Sequence, residues 1–417
     1  MKSLAYRWEL LVWLWLAFLL NQADRQVFNV VLPLIRTGLG LTPVQAGLVG
    51  SVFTISLAVI IPVAGYAGDI CSRKRIVVLS LLGWSLATLL TGFSTGLLFL
   101  IVVRSVATGV GEGFYAPSAF AMIGEHHVET RAQAMAVHQT SLYVGVVLSG
   151  LVAGWLGDHF GWRSAFWAFG SFGIFAALFL QWRLRDRPVV AENQSDRLPL
   201  RLVARTLFAT PTALLLSFGL GGRVFVNVGY LTWMPTYLHE RFGMSLAAAG
   251  FSSMFYHFAA AFVGVLAGGR LSDRLARKRP AARPLLQTVA LLAAAPFLFL
   301  LGRANEFWLV CAALAAFGLF CGFYDSSTYA SLYEVVEPRF HASATGAMTA
   351  LAFVIGSLAP VALGAIKQAA GLAVGLSALS LVYLAAGLCL FAAVIFTFGR
   401  DYAAVHSENS CFAWTEK

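Results

Sequence analysis

The chain has 417 residues, 59% of them apolar and only 12% charged, and its mean hydropathy is +0.77. No water-soluble globule hides that much apolar surface in one core, so a soluble enzyme or binding domain is excluded and the chain belongs in lipid. The net charge of +10 would suit nucleic acid only on a soluble basic face with interleaved aromatics, which no segment supplies, and no nucleic-acid partner is expected.

A membrane-crossing helix takes about 20 apolar residues. Apolar runs set against charged or Pro/Gly breaks predict twelve spans, near 9–35, 43–68, 76–94, 96–124, 132–157, 163–183, 209–238, 246–270, 284–302, 306–333, 342–366 and 373–398. The first run is no signal peptide: Asn21, Gln22, Asp24 and Arg25 stand where that segment should be apolar, and no small-residue cleavage site follows. The one long polar stretch, Arg183 to Arg205, falls between the sixth and seventh spans. The expected organisation is therefore an N-terminal six-helix half (1–184), a cytoplasmic linker (185–207) and a C-terminal six-helix half with a short tail (208–417). The five cysteines show no CxxC or metal spacing, so neither disulfides nor a metal site are expected, and no cofactor.

The basic residues are distributed unevenly. With the N-terminus inside, the outer loops hold five of the 29 Lys and Arg (Arg36, Arg163, Arg241, Arg303, Lys367), the spans hold Arg25, Arg104 and Arg223, and the cytoplasmic segments hold the rest. The positive-inside rule then puts both termini in the cytoplasm of a multi-pass protein, and the lack of long outer loops fits a bacterial inner membrane. Asn193 matches a glycosylation sequon but falls on the cytoplasmic side.

The two halves repeat. Gly65-Tyr-Ala-Gly-Asp69-Ile-Cys-Ser-Arg73-Lys74-Arg75 follows the second span, and Gly269-Arg-Leu-Ser-Asp273-Arg-Leu-Ala-Arg277-Lys278-Arg279 follows the eighth, 204 positions later. Ala134, Gly154 and Gly161 return as Ala344, Gly364 and Gly371, 210 positions later. Two such repeats are the arrangement of an alternating-access carrier that holds its cargo between them near the midplane.

The paired loops resemble the signature loop of the major facilitator superfamily, and the resemblance covers the whole chain. It implies an all-α membrane protein, with twelve transmembrane helices in two pseudo-symmetric halves. Asn21-Gln-Ala-Asp24-Arg25, Gly109-Val-Gly-Glu112 and Trp233-Met-Pro235-Thr-Tyr-Leu238 resemble the anion:cation symporters. The Asp-Arg and Gly-x-Gly-Glu pieces are also similar to the Spinster-type lipid carriers. In the superfamily, Asp69 and Asp273 would pair with basic residues and helix ends across the contact of the halves when the carrier faces outward, with Gly65, Arg73, Lys74, Gly269, Arg277 and Lys278 completing the gating loops. Topogenic charge alone explains part of those basic residues. The first copy departs from the family pattern, with Ile70 for a basic residue and Ser72 for Gly.

A charge at the bilayer centre costs about 2.5–3.5 kcal/mol on insertion scales, so charges inside spans mark cavities. The candidates are Asp24, Arg25, Arg104, Glu112, Arg223 and Asp325. Asp24 and Arg25 point about 100° apart on a helix and can serve different partners. By resemblance to the anion:cation symporters, Asp24 and Glu112 carry the proton and Arg25 holds the carboxylate or phosphate of the substrate. A desolvated carboxyl titrates nearer neutrality and a nearby Arg reverses the effect, which would couple proton to substrate; Arg grips a carboxylate through a bidentate fork. A permanent structural ion pair between the first and fourth spans is the alternative. Arg104, Thr108 and Glu112 run i, i+4, i+8 along one broad face, but Arg104 precedes Gly109 by five residues where the family pattern has four, so it either braces the helix or touches substrate. Arg223 reads as a snorkelling side chain near the cytoplasmic end of the seventh span, and Asp325, beside Tyr324 and Tyr329, as the cavity residue of the second half.

Uncharged polar residues complete the substrate-binding set: Gln22, His138, Gln139, Tyr143, Asn227, Tyr230 and Tyr256, because an anion fixed by Arg still needs neutral groups to orient it. Such residues, His138 and His257 included, more often pair between helices. The function expected is proton-coupled symport of a small organic anion, a sugar acid or another carboxylate, by a monomer in the bilayer. The alternative is a lysolipid, amphiphile or drug carrier of the same fold, working as a uniporter or proton antiporter. No Gly-x-Ser-x-Gly, HExxH, Walker or paired-His motif supports an enzyme.

Overall fold

The computed structural model describes residues 2–186 and 209–412, and nearly all of the expected linker lies outside them. Every described element of regular structure is helical. In chain order the long helices are α1 (Lys2–Val30), α2 (Pro43–Ile70), α3 (Arg73–Thr91), α4 (Leu97–His126), α5 (Arg131–Phe160), α6 (Trp162–Arg183), α7 (Pro211–Phe242), α8 (Leu246–Ala276), α9 (Ala282–Arg303), α10 (Phe307–Tyr333), α11 (Ser343–Ala370) and α12 (Leu372–His406). Among the described residues α2 to α12 contain eleven segments long and apolar enough to cross a membrane. The apolar stretch of α1 is flanked by Arg7 and Glu9 on one side and the polar run from Asn21 to Gln26 on the other, which lowers its hydropathy. Its predicted span, 9–35, is interrupted at Val31: Pro33 cannot continue the hydrogen-bond ladder, and a second short helix, Leu32–Leu39, restarts there and ends on Gly40 at φ 63°.

The described residues form two compact units. The first contains 2–186 with 230–255 and 360–369, and the second contains 209–229, 256–359 and 370–412. In the first unit α1 packs on α5 and α3 on α6. Close approach needs glycine: a Cβ on Gly145 of α5 would lie 2.5 Å from the carbonyl oxygen of Leu19 in α1, and one on Gly150 would lie 2.5 Å from that of Gly250 in α8. The core of this unit gathers Leu10, Leu14, Trp84 and Tyr115. Outward-facing Phe175, Trp182 and Leu98 are exposed, as lipid-facing side chains are.

At the α1–α2 end of this unit, polar groups fasten 230–255 and 360–369 to the first six helices. Asp158, at the end of α5, accepts the backbone N–H groups of Leu246 and Ala247 at 2.9 and 3.0 Å and so caps the start of α8. Glu240 of α7 accepts from Lys367 Nζ at 2.6 Å and from Arg36 Nη1 at 3.3 Å. The indole of Trp233 donates to the Pro360 carbonyl at 2.9 Å. In the second unit α9 packs on α12 and α10. Arg283 at the start of α9 lies 3.2 Å from Asp273 and 3.4 Å from Glu334, tying α8, α9 and α10 together.

Candidate substrate and proton site

Four charged residues of the first unit converge. The helical run of α1 carries Asp24 and Arg25 past α3 and α4, and the Arg25 Nε donates to Glu112 Oε2 at 2.5 Å. Arg104 Nη2 donates to the backbone carbonyl of Arg25 at 3.0 Å, and its guanidinium lies over the rings of Phe53 at 4.6 Å and Phe28 at 5.6 Å. Thr88 of α3 is 3.4 Å from Asp24 Oδ2. Asp24, Arg104 and Glu112 are buried at 2%, 3% and 1% exposure, while the Arg25 side chain keeps 25%. The cluster therefore has one open edge, on the guanidinium of Arg25.

The hydrogen-bonding capacity of the cluster is not used up. Asp24 Oδ1, Glu112 Oε1, Arg104 Nε and Nη1, and Asn21 Nδ2 are buried with no hydrogen-bond partner among the described residues. A buried polar atom left unpaired costs about 1–3 kcal/mol, more when charged, so native structures keep such atoms where a proton, water or ligand completes them. Two guanidinium nitrogens and two carboxyl oxygens facing one spot can exchange an internal ion pair for one with an anion.

A π-helical turn in α4, Leu100–Ala107, positions Arg104, and sequence reading missed it. The backbone N–H of Thr108 reaches the Val103 carbonyl, five residues back, and the Thr108 hydroxyl shares that acceptor at 3.1 Å. On a regular helix Arg104 and Glu112, eight residues apart, would be turned about 80° from each other. The π turn absorbs one residue, leaving about two full turns between them. The extra residue between Arg104 and Gly109 is accommodated in the same way, and Arg104 both braces α1 and stays in the cluster.

The second unit holds another buried pair. Arg223 Nη2 donates to Asp325 Oδ2 at 2.8 Å, with the side chains 9% and 42% exposed. This corrects the snorkelling expectation: α7 begins at Pro211, so Arg223 lies about 18 Å along the helix, too deep to reach its end, and it finds a carboxylate inside instead.

The other expected site residues are dispersed. Gln22 donates to Asn21 at 2.9 Å, next to the cluster. His138 is fully buried, stacked on Phe18 with ring centroids 4.7 Å apart and 3.3 Å from the Tyr115 hydroxyl, in the aromatic core and not at the charge cluster. Tyr230 is fully buried and donates to the Ser253 carbonyl. Gln139 is exposed; Tyr143 in the first unit, and Asn227 and Tyr256 in the second, are half-buried. Of the gating residues, Arg73 pairs with Glu125 and Asp273 with Arg283, each inside its own unit, and Arg277 lines a surface cavity of about 310 Å³ beside Arg283 and Tyr402. Lys74 is half-buried, Lys278 exposed and Gly269 half-buried. The side chain of Asp69, and the surroundings of Gly65, lie outside the described residues.

A multi-pass bundle of apolar helices with arginines and carboxylates buried inside is the build of a membrane transporter. The chain belongs to the Major Facilitator Superfamily, whose family model matches residues 14–286. It is similar to the sodium-dependent phosphate transport protein 1, chloroplastic, of Arabidopsis thaliana, at 27% identity over 87% of this chain and 74% of that one. It is similar also to the hexuronate transporter of Bacillus subtilis (strain 168), at 25% identity over 92% of each chain. Among solved structures it shares its fold with a bacterial homologue of the human lysosomal transporter Spinster, captured inward-facing and unoccupied, with a TM-score of 0.80 at 23% identity over 96% of this chain and 98% of that one.

Proposed function

We propose that the protein is a secondary active transporter that carries a small organic anion together with protons by alternating access, and is not an enzyme. The observation that supports this reading best is the Asp24–Arg25–Arg104–Glu112 cluster, with its unpartnered buried atoms and one open edge. A proton on Glu112 ends its ion pair with Arg25, and Arg25 is then free to grip a carboxylate through its fork. Asp24 Oδ1, unpartnered beside Thr88, is a second place for a proton. The printed functions of the phosphate and hexuronate relatives agree with an anionic cargo. In this reading the chain works as a monomer in an inner membrane with both termini in the cytoplasm, and Asp69 and Asp273 gate the inner side.

The test is pH-coupled uptake by purified protein in liposomes holding a lumenal pH dye, with sugar acids, dicarboxylates, phosphate and lysolipids as challenges. Acidification evoked by an acid and lost in Asp24→Asn and Glu112→Gln supports the proposal. Substrate flux without proton movement in the wild type overturns it. The likeness to a Spinster homologue favours a second reading, an amphiphile carrier, and flux evoked by lysolipid alone would select it.

A further inference from the structure

We propose that Arg223, Asp325 and the hydroxyls that lead to them form a second anion site, wholly within the second unit, which takes a hydroxylated carboxylate. The proposal rests on the anion-carrier reading and adds to it a place and a chemical class.

Two independent observations carry it. The guanidinium of Arg223 is nine-tenths buried and held by a single carboxylate, and its Nε has no hydrogen-bond partner among the described residues. Cys321 and Tyr383 stand nearby but hydrogen-bond to each other, 3.3 Å apart. The holding carboxylate, Asp325, is the open member of the pair, at 42% exposure. A carboxylate arriving at Arg223 can replace that of Asp325 oxygen for oxygen, with Nε as an additional donor.

The second observation is the face on which Asp325 lies. Asp325, Tyr329 and Tyr333 run i, i+4, i+8 along α10, so they form one row. Both tyrosines are exposed, at 40% and 38%. Their hydroxyls meet the adjacent helix in matching register: Tyr329 lies 3.3 Å from Thr349 Oγ1, and Tyr333 lies 3.0 Å from Thr345 Oγ1. A carboxylate and two exposed phenols on one stripe would be costly against lipid tails. The stripe therefore lines a watered route, with hydroxyl pairs set one helical turn apart and the charge pair at its deep end. Hydroxyl rows recognise hydroxyls, and a guanidinium recognises a carboxylate. Together they fit a polyhydroxylated acid better than a plain dicarboxylate.

The experiment uses the full chain in liposomes, with gluconate, glucuronate, succinate and phosphate as probes. Arg223→Gln is expected to raise KM for gluconate or glucuronate at least tenfold, and Arg223→Lys to recover part of that. Because a lone Asp325 next to Gln could harm folding, the pair Arg223→Gln with Asp325→Asn is measured beside it; it leaves no isolated charge and is expected to show the same weak binding with a melting temperature near that of the wild type. Tyr329→Phe with Tyr333→Phe is expected to lower the preference for gluconate over succinate about fivefold. An unchanged KM in the charge variants, or a wild type that takes succinate and phosphate but neither hydroxylated acid, overturns the second site while leaving anion transport standing. A wild type that moves none of the four probes removes the anion-carrier reading and this site with it.

Discussion

The two buried ion pairs invite comparison because they join corresponding helices of the two repeats: Arg25 to Glu112 links the first and fourth spans, and Arg223 to Asp325 the seventh and tenth. In the first pair the carboxylate is sealed and the guanidinium has the open edge, with side chains 25% exposed for Arg25 and 0% for Glu112. In the second the guanidinium is sealed, at 9%, and the carboxylate is open, at 42%. The same chemistry thus offers an arriving anion two different routes of entry. At Arg25 the anion meets the cation directly; at Arg223 it has to displace a resident carboxylate.

The largest expected effect comes from the sealed carboxylate. Glu112→Gln leaves Arg25 and Arg104 with one compensating carboxylate fewer in a site where breaking a buried pair costs about 3–5 kcal/mol. Melting of the purified variant is expected to drop clearly and proton-coupled flux to fall at least a hundredfold. Adding Arg25→Gln is expected to restore much of the stability and none of the flux, since it removes the stranded charge and the anion grip together. Restored flux in the double variant would remove Arg25 from the binding role.

The open carboxylate sharpens the contrast. Asp325→Asn removes one charged hydrogen bond to Arg223, worth about 1.5–3 kcal/mol when buried and less here because Asp325 is exposed to solvent. Its melting temperature is expected to fall less than that of Glu112→Gln. A greater loss would show that the two pairs are not distinguished by burial.

Much of this comparison is legible in the sequence. Charges interrupting apolar runs stand out at Asp24, Arg25, Glu112 and Asp325, and the repeated Gly–Asp–Arg–Lys–Arg loops show the duplication without any structure. Two features are not legible, each for a physical reason. The π turn lies in the backbone hydrogen-bond pattern of Leu100–Ala107, and an apolar stretch of Leu, Ile and Val reads the same with either pattern. The partner of Arg223 depends on which helix packs beside α7, which residue periodicity leaves open; its depth was readable from its distance to Pro211, and that count would have excluded snorkelling. His138 shows the opposite error: a polar residue in a span suggests a cavity, but tertiary packing surrounds it with Phe18, Tyr115 and Phe120.

The π turn itself gives the next prediction. If it takes up one residue, removing one inside it should let α4 become regular while keeping Arg104 and Glu112 on one side. Val106 is the residue to delete, since it is apolar and 41% exposed and touches nothing charged. The deletion variant is expected to keep at least a third of wild-type flux, whereas deleting Leu86, equally exposed in the regular helix α3, is expected to abolish it because every later side chain of that helix rotates by about 100°. Equal loss in both would mean that the π turn is required as it stands.

The smallest effect is expected where ion pairs meet solvent. Glu240 accepts from both Lys367 and Arg36, yet its side chain is 43% exposed, so the set resembles a surface pair worth under about 1 kcal/mol. The caps that Asp158 gives to the α8 N–H groups and the Trp233–Pro360 hydrogen bond fasten the same end independently. Glu240→Gln is accordingly expected to shift melting by no more than about 2 °C and to change flux less than twofold. A tenfold change in flux with unchanged melting would make this exposed triad a latch of the transport cycle, and would break the rule drawn from the two buried pairs, that burial decides which charges the carrier depends on.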